Sequence, residues 1–276
     1  MAPCLPAPFQ PLGAHVQLDL FHYALGLFSG SLVGLIMGLF GGGGSIMAVP
    51  LMHFVVGISN PHIVIGTSAL AVALNALSNL LAHARHGTVK WRCAFLYSSA
   101  GIVGAGLGST LGKVVDGQKL LLIFACVMVA VAIFMFLSRA QQGNPGAECT
   151  LEKAPKVVGY GAITGALSGF LGIGGGFLIV PALVASTGMP ILNAIGSSLV
   201  SVAAFGLTTS LNYALSDLVD WPLAIVFVVG GVFGGYGGAY LCQRLSSRKG
   251  FLHTAFAGLI LVVALSMIWS GIDHLL

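Results

Sequence analysis

Charge is what this chain has least of. Only 7% of its 276 residues are Asp, Glu, Lys or Arg, where a soluble domain carries roughly a quarter. With 57% of residues hydrophobic and a mean hydropathy of +1.00, this is the composition of an integral membrane protein, with little left over for a soluble domain. The net charge of +4 is small, and no basic stripe suggests nucleic acid. Cys4, Cys93, Cys126, Cys149 and Cys242 show no CxxC spacing, which argues against a zinc cluster or a disulfide framework and for buried thiols. Residues 1–20 contain four prolines and no basic n-region, unlike a signal peptide. There is no G-x-x-x-x-G-K-[ST] phosphate loop and no G-x-S-x-G elbow.

Glycine and apolar length are what it has most of. Long apolar stretches run at 20–57, 62–82, 92–112, 119–138, 157–188, 193–215, 222–242 and 250–271. Six are close to the ~20 residues a crossing needs. The other two, 20–57 and 157–188, are longer and carry the clusters Gly41-Gly42-Gly43-Gly44 and Gly172-Ile173-Gly174-Gly175-Gly176, followed by Pro50 and Pro181. Glycine interruptions at matching points of two halves point to a transporter's binding site. The backbone groups they free are tolerated at membrane depth only when buried in protein or lining a cavity.

The halves are repeats. At an offset of 131, Gly38, Gly41, Gly43, Gly44, Val49, Pro50 and Gly57 match Gly169, Gly172, Gly174, Gly175, Val180, Pro181 and Gly188. At an offset of 130, Gly66, Ser68, Trp91, Gly101, Gly104 and Gly108 match Gly196, Ser198, Trp221, Gly231, Gly234 and Gly238. Register held over successive segments marks an internal duplication. The predicted organisation is an N-terminal extracytoplasmic tail (1–19), membrane repeat 1 (20–138), a cytoplasmic linker (139–156) and membrane repeat 2 with a short C-terminal tail (157–276).

Basic residues set the orientation, since cytoplasmic loops collect Lys and Arg. If the two glycine-bearing segments each cross once, the eleven basic residues divide six to five, which is no bias. If each enters and leaves on the same side, they divide nine to two. The expected fold is therefore an all-α integral membrane protein of two inverted repeats of four segments, the first segment of each a glycine-broken re-entrant hairpin. Both termini then lie outside a multi-pass cell (inner) membrane protein. The second arm from Ile46 to Val56 measures about 16 Å as a helix, roughly half the bilayer core. Pro50 and Pro181 fit either a kink or a helix start.

A helix beginning after the glycines would turn its N–H groups toward mid-membrane, a ready anion site. The candidate substrate-binding residues are Gly43, Gly44 and Ser45 in one half and Gly174, Gly175 and Gly176 in the other. The hydroxyl pairs Thr67-Ser68 and Ser197-Ser198 join them, either donating to the same anion or bonding helix to helix. Asn75, Asn79 and Asn212 are candidates to line a pathway, with interhelical bonding as the alternative. No ionisable carboxylate or arginine lies mid-span, so recognition would rest on backbone amides and hydroxyls. His53 and His62 fall near the predicted outer mouth. The sequence calls for no cofactor, no metal and no catalytic residue. A membrane enzyme with Ser45 as nucleophile and His53 or His83 as base, or a complex subunit, would leave the paired glycine clusters unexplained.

The duplicated glycine–proline signature in an eight-segment chain resembles the sulfite exporter TauE/SafE family over about residues 20–271. The resemblance is carried by Gly41-Gly42-Gly43-Gly44 with Pro50, Gly172-Ile173-Gly174-Gly175-Gly176 with Pro181, and the Gly66-Thr67-Ser68 and Gly196-Ser197-Ser198 segments. It implies a carrier of small sulfur-containing anions such as sulfite or organosulfur acids, often working as an exporter. An anion leaving an inside-negative cell gains about 2.3 kcal/mol per charge per 100 mV, so export by potential or anion gradient needs no coupling ion. An anion channel and an importer are the alternatives, and a homo-oligomer is left open.

Overall fold

A computed structural model describes residues 20–137, 154–172, 175–245, 258 and 260–265. Within them the secondary structure is helical throughout. The first long stretch is α1 (Leu20–Phe40), a 3-10 segment (Gly41–Met47), a short α2 (Ala48–Pro50) and a π turn (Leu51–Val55). Next come α3 (Pro61–Arg85), α4 (Trp91–Val114), α5 (Gly117–Leu137), α6 (Ala154–Leu171), α7 (Gly176–Thr187), α8 (Ile191–Ala214) and α9 (Trp221–Leu245). Leu20–Val55, Pro61–Arg85, Trp91–Val114, Ile191–Ala214 and Trp221–Cys242 are long and apolar enough to cross a membrane. Gly117–Ile133 and Gly176–Thr187 are shorter apolar stretches. The expected tail 1–19, most of the linker 139–156 and most of the stretch 250–271 lie outside the described residues; α6 opens at Ala154, inside the expected linker.

Local chemistry starts the helices. Asn60 Oδ1 accepts the His62 N–H at 3.0 Å with Pro61 in the first helical position of α3, where its missing donor costs nothing. Asp116 Oδ1 takes the N–H groups of Gln118 and Lys119 at the start of α5. Asp220 Oδ1 takes that of Leu223 in α9.

The helices then pack by exchange between the halves. Gly30, Gly34 and Gly38 of α1 abut the carbonyls of Phe227, Gly231 and Gly235 on α9. Gly161, Gly165 and Gly169 of α6 abut those of Tyr97, Gly101 and Ala105 on α4. The second set follows from the first by the offsets of 131 and 130. In lipid, helices associate by close contact rather than by a hydrophobic force, and small residues permit that contact. A methyl group at any of these six glycines would overlap the facing backbone.

Matching contacts give the running directions. Residues rise together in α1 and α9, and in α3 and α9 through Asn75–Gly231 and Asn79–Gly235. They rise together in α4 and α6, and in α4 and α8 through Ser98–Ser201 and Ser109–Asn212. Between α3 and α8 they run opposite, Gly66 meeting Tyr213 and Thr88 meeting Gly196. Thus α1, α3 and α9 point one way, and α4, α6 and α8 the other. Because α1 and α3 are parallel, residues 41–60 carry the chain back; residues 172–190 do so between α6 and α8.

Charge sorts by end. Arg85, Lys90, Arg92, Lys156 and Arg244 lie at the end where α3 finishes, and Lys113, Lys119, Asp116, Asp217 and Asp220 at the end where it begins. Among the described residues every Asp, Lys and Arg sits at a helix end or in a connection. Cys93 is disulfide-bonded, which corrects the thiol expectation at that position, whereas Cys126 and Cys242 are free.

Candidate functional site

The two glycine clusters break their helices alike. Gly41 and Gly172, 131 residues apart, adopt φ of +66° and +70°, a left-handed conformation that L side chains rarely adopt and glycine takes freely. Gly41 rests on Ile195 and Gly172 on Ile65, again equivalent positions. After the break Gly44 returns against the backbone of Met37, and Gly175 against Ser168. Each chain thus meets its own helix again seven residues back.

The second arms differ. In the second half an α-helix opens at Gly176, the last glycine of its cluster, and Pro181 lies inside it. In the first half the glycines themselves belong to the 3-10 segment. The arm therefore begins at Gly41 rather than at Ile46, and Pro50 precedes a π turn. Neither proline starts its arm. Both occupy interior positions, where the missing N–H and the ring disturb the helical ladder.

The two breaks touch. The Gly42 carbonyl lies against the α carbon of Gly176, and the Gly42 N–H donates to Ser198 Oγ at 3.1 Å. Val202, near the middle of α8, closes on Gly42 from the same side. Gly43, Gly44, Ser45, Gly175 and Gly176 are all buried, and Gly174 lies outside the described residues. Two hydroxyls at this junction have no partner: Ser45 Oγ and Ser168 Oγ, both on side chains with no exposed surface. Sequence reasoning missed Ser168. Its signal was the offset of 131, which places it opposite Met37 as the residue that each returning arm meets.

The hydroxyl pairs divide by position. Thr67 Oγ1 accepts the Asp220 N–H at 2.9 Å, and Ser197 Oγ accepts the Lys90 N–H at 2.8 Å. The first member of each pair thus ties a connecting loop to a helix. Ser68 and Ser198 donate back to the carbonyls of Ile65 and Ile195, and Ser198 also reaches the break.

The three asparagines do not gather. Asn75 and Asn79 lie buried over Gly231 and Gly235; Asn79 Nδ2 donates to the Asn75 carbonyl, while Asn79 Oδ1 and both amide atoms of Asn75 have no partner. Asn212 is elsewhere, donating to Ser109 and Thr110 on α4. The interhelical role applies to it. His53 Nδ1 contacts the Ile58 carbonyl at 2.8 Å, closing the first returning arm. His62 faces the ring of Tyr213.

The model for "Sulfite exporter TauE/SafE" matches residues 26–267. The chain belongs to this family. A Xylella fastidiosa protein named "Probable membrane transporter protein" is 52% identical over 87% of this chain and 93% of its own length. Bacillus subtilis YunE, of the same description, is 25% identical over 90% of this chain and 96% of its own. Methanocaldococcus jannaschii MJ0441, likewise so described, is 25% identical over 79% and 86%. No solved structure matches. This TauE/SafE chain is thus a multi-pass membrane transporter rather than an enzyme, with lipid around it and a small anion as the substrate its family implies.

Proposed function

We propose that the protein carries a small sulfur-containing anion, sulfite or an organosulfur acid, out of the cell as a secondary carrier. The anion would bind where the two glycine breaks meet. The observation that carries this reading is the contact of Gly42 with Gly176, beside the unpartnered hydroxyls of Ser45 and Ser168. A buried hydroxyl without a partner is costly, and an anion accepting from it removes the cost. The arm opening at Gly176 adds free N–H donors and the positive end of its dipole. Gly43, Gly44, Ser45, Gly174, Gly175 and Gly176 form the proposed cradle with Ser68 and Ser198, while Thr67 and Ser197 hold it from the loops behind. Asn75 and Asn79 line the approach.

The opposite directions of α1 and α6, α3 and α8, and α4 and α9 support inverted repeats, each opening with a hairpin. The basic cluster at the Arg85 end supports a cytoplasmic placing of that end; with 250–271 as a last crossing, both termini would then lie outside. α1, at 21 residues or about 31 Å, is as long as the bilayer core is thick, so the first hairpin of this reading would reach deep into the bilayer.

The test is reconstitution in liposomes, with uptake of labelled sulfite measured against sulfate, thiosulfate and sulfonates under a positive-inside potential. Saturable uptake with counterflow, weakened by Ser45→Ala and Ser168→Ala, is the expected result. Non-saturating conductance would make the protein a channel, and absence of flux for every anion would remove the proposal.

A further inference from the structure

In a continuous helix the Gly42 N–H would donate to the Gly38 carbonyl. Here that N–H goes to Ser198 Oγ on α8, and the Gly38 carbonyl lies 3.1 Å from His83 Nε2 on α3. A serine and a histidine from different halves thus take the two ends of the hydrogen bond that the break gives up. We propose that His83 is a positioning residue of the first break and links anion binding there to the binding of a proton. This rests on the anion reading of the break.

The geometry accommodates both charge states of the ring. A carbonyl only accepts, so Nε2 carries hydrogen in either state. Nδ1 lies 3.1 Å from Thr88 Oγ1, and that oxygen is also 3.0 Å from the carbonyl of His83 itself. With a neutral ring the Thr88 hydroxyl donates to Nδ1. When a proton arrives at Nδ1, the hydroxyl turns to the His83 carbonyl and accepts from the ring instead. No hydrogen bond is lost, although the side chain is only 1% exposed.

The elements around it bring no carboxylate among the described residues. α9 brings Gly235, Gly238 and Ala239 to Gly38, and α8 brings Asn193, Gly196 and Ser197 to the loop of Thr88 and Lys90. The other ionisable residues at this end of α3 and its loop are Arg85, His86 and Lys90. The described carboxylates are all at the opposite end. Gly44 returns against Met37, the residue beside Gly38, so a charge on His83 lies near the proposed cradle. Opposite charges favour one another, and the linkage is reciprocal: the proton raises anion affinity and the anion raises proton affinity. The equivalent position of the other half holds Tyr213, whose hydroxyl has no partner, so the two breaks are chemically unlike.

The experiment measures the KM for sulfite in proteoliposomes of the full chain at equal pH on both sides, from pH 5.5 to 8, for the unaltered protein and His83→Gln. Gln keeps an N–H donor for Gly38 without a titrating ring. The titration of sulfite itself is common to both proteins and cancels in the ratio of their KM values. That ratio should rise from near one at pH 8 to about fivefold or more at pH 5.5, with a reduced maximal rate in the variant. A flat ratio would overturn the proposal. Should His83→Gln fail to fold, Thr88→Val removes the hydroxyl that receives the proton's hydrogen bond, and the pH dependence should move to lower pH; an unchanged profile would overturn the proposal equally. Absence of sulfite flux in the unaltered protein would remove the anion reading, and this linkage with it.

Discussion

Gly176 lies so close to the carbonyl of Gly42 that only hydrogen fits as its side chain. Gly176→Ala would drive a methyl group into backbone, which has no rotamer to yield. Overpacking of this kind costs about 1–3 kcal/mol and sometimes more. Thermal unfolding in detergent should show a clear fall in Tm for Gly176→Ala. Gly159→Ala, on α6 with open space around the added methyl, should leave Tm unchanged or slightly raised, since alanine is the better helix former by about 1 kcal/mol. Equal behaviour of the two variants would remove the contact between the breaks.

Gly42 makes a second measurable claim through Ser198. Ser198→Ala leaves a buried backbone N–H without its acceptor, a cost of about 1–3 kcal/mol. Ser78→Ala removes a hydroxyl that donates within its own helix, to the Asn75 carbonyl, and should cost well under half of that. The comparison is made by chemical or thermal unfolding of the purified protein in one detergent. A Ser198 effect no larger than that of Ser78 would mean that the break does not depend on the bond across the halves.

The matching glycine positions were legible because glycine is demanded by backbone geometry rather than by chemistry. Gly41 and Gly172 share a left-handed φ, as do Gly57 and Gly188, and the glycines of α1 and α6 share their facing carbonyls. Residue identity alone carried that much across 131 positions. What stayed hidden was which helix meets which. Nothing in the composition of α1 says that it packs on α9 of the other half, so the partners of Thr67, Ser197 and Asn212 could not be read. The hydroxyls and amides stand out in the sequence as polar groups in apolar spans. Their use is decided by contacts more than a hundred residues apart. His83 entered the sequence reading only as a base for the alternative membrane enzyme, and its bond to Gly38 appears once α3 lies beside α1.

Asn75 separates a packing role from a lining role. Its amide lies over Gly231, where the other half sets Phe205 over Gly101 at the equivalent place. An apolar side chain therefore fits this kind of notch. Asn75→Leu removes two unpartnered buried polar atoms and should hold or raise Tm, because the desolvation penalty of those atoms disappears. If the amide lines the anion's approach, uptake should nonetheless fall at least about tenfold, which is about 1.4 kcal/mol of lost stabilisation along the path. Unchanged uptake in a stable Asn75→Leu protein would leave the asparagine with no role in transport.

Sidedness follows from the sorting of charge between the two ends of the bundle. Arg85, Lys90, Arg92, Lys156 and Arg244 share one end, and Asp116, Asp217 and Asp220 the other. Basic residues are retained on the cytoplasmic side, so the two ends should respond differently to a reagent that cannot cross the membrane. Single cysteines in place of Asp116 or Asp217, in a background lacking Cys4, Cys93, Cys126, Cys149 and Cys242, should react with an impermeant maleimide in intact cells. Cysteines in place of Lys90 or Arg244 should react only after permeabilisation. Reaction at Lys90 in intact cells would reverse the orientation and put the His83 end of the first break outside. Reaction of all four would mean that neither α4 nor α9 crosses, because Lys90 and Asp116 bracket the one and Asp217 and Arg244 the other.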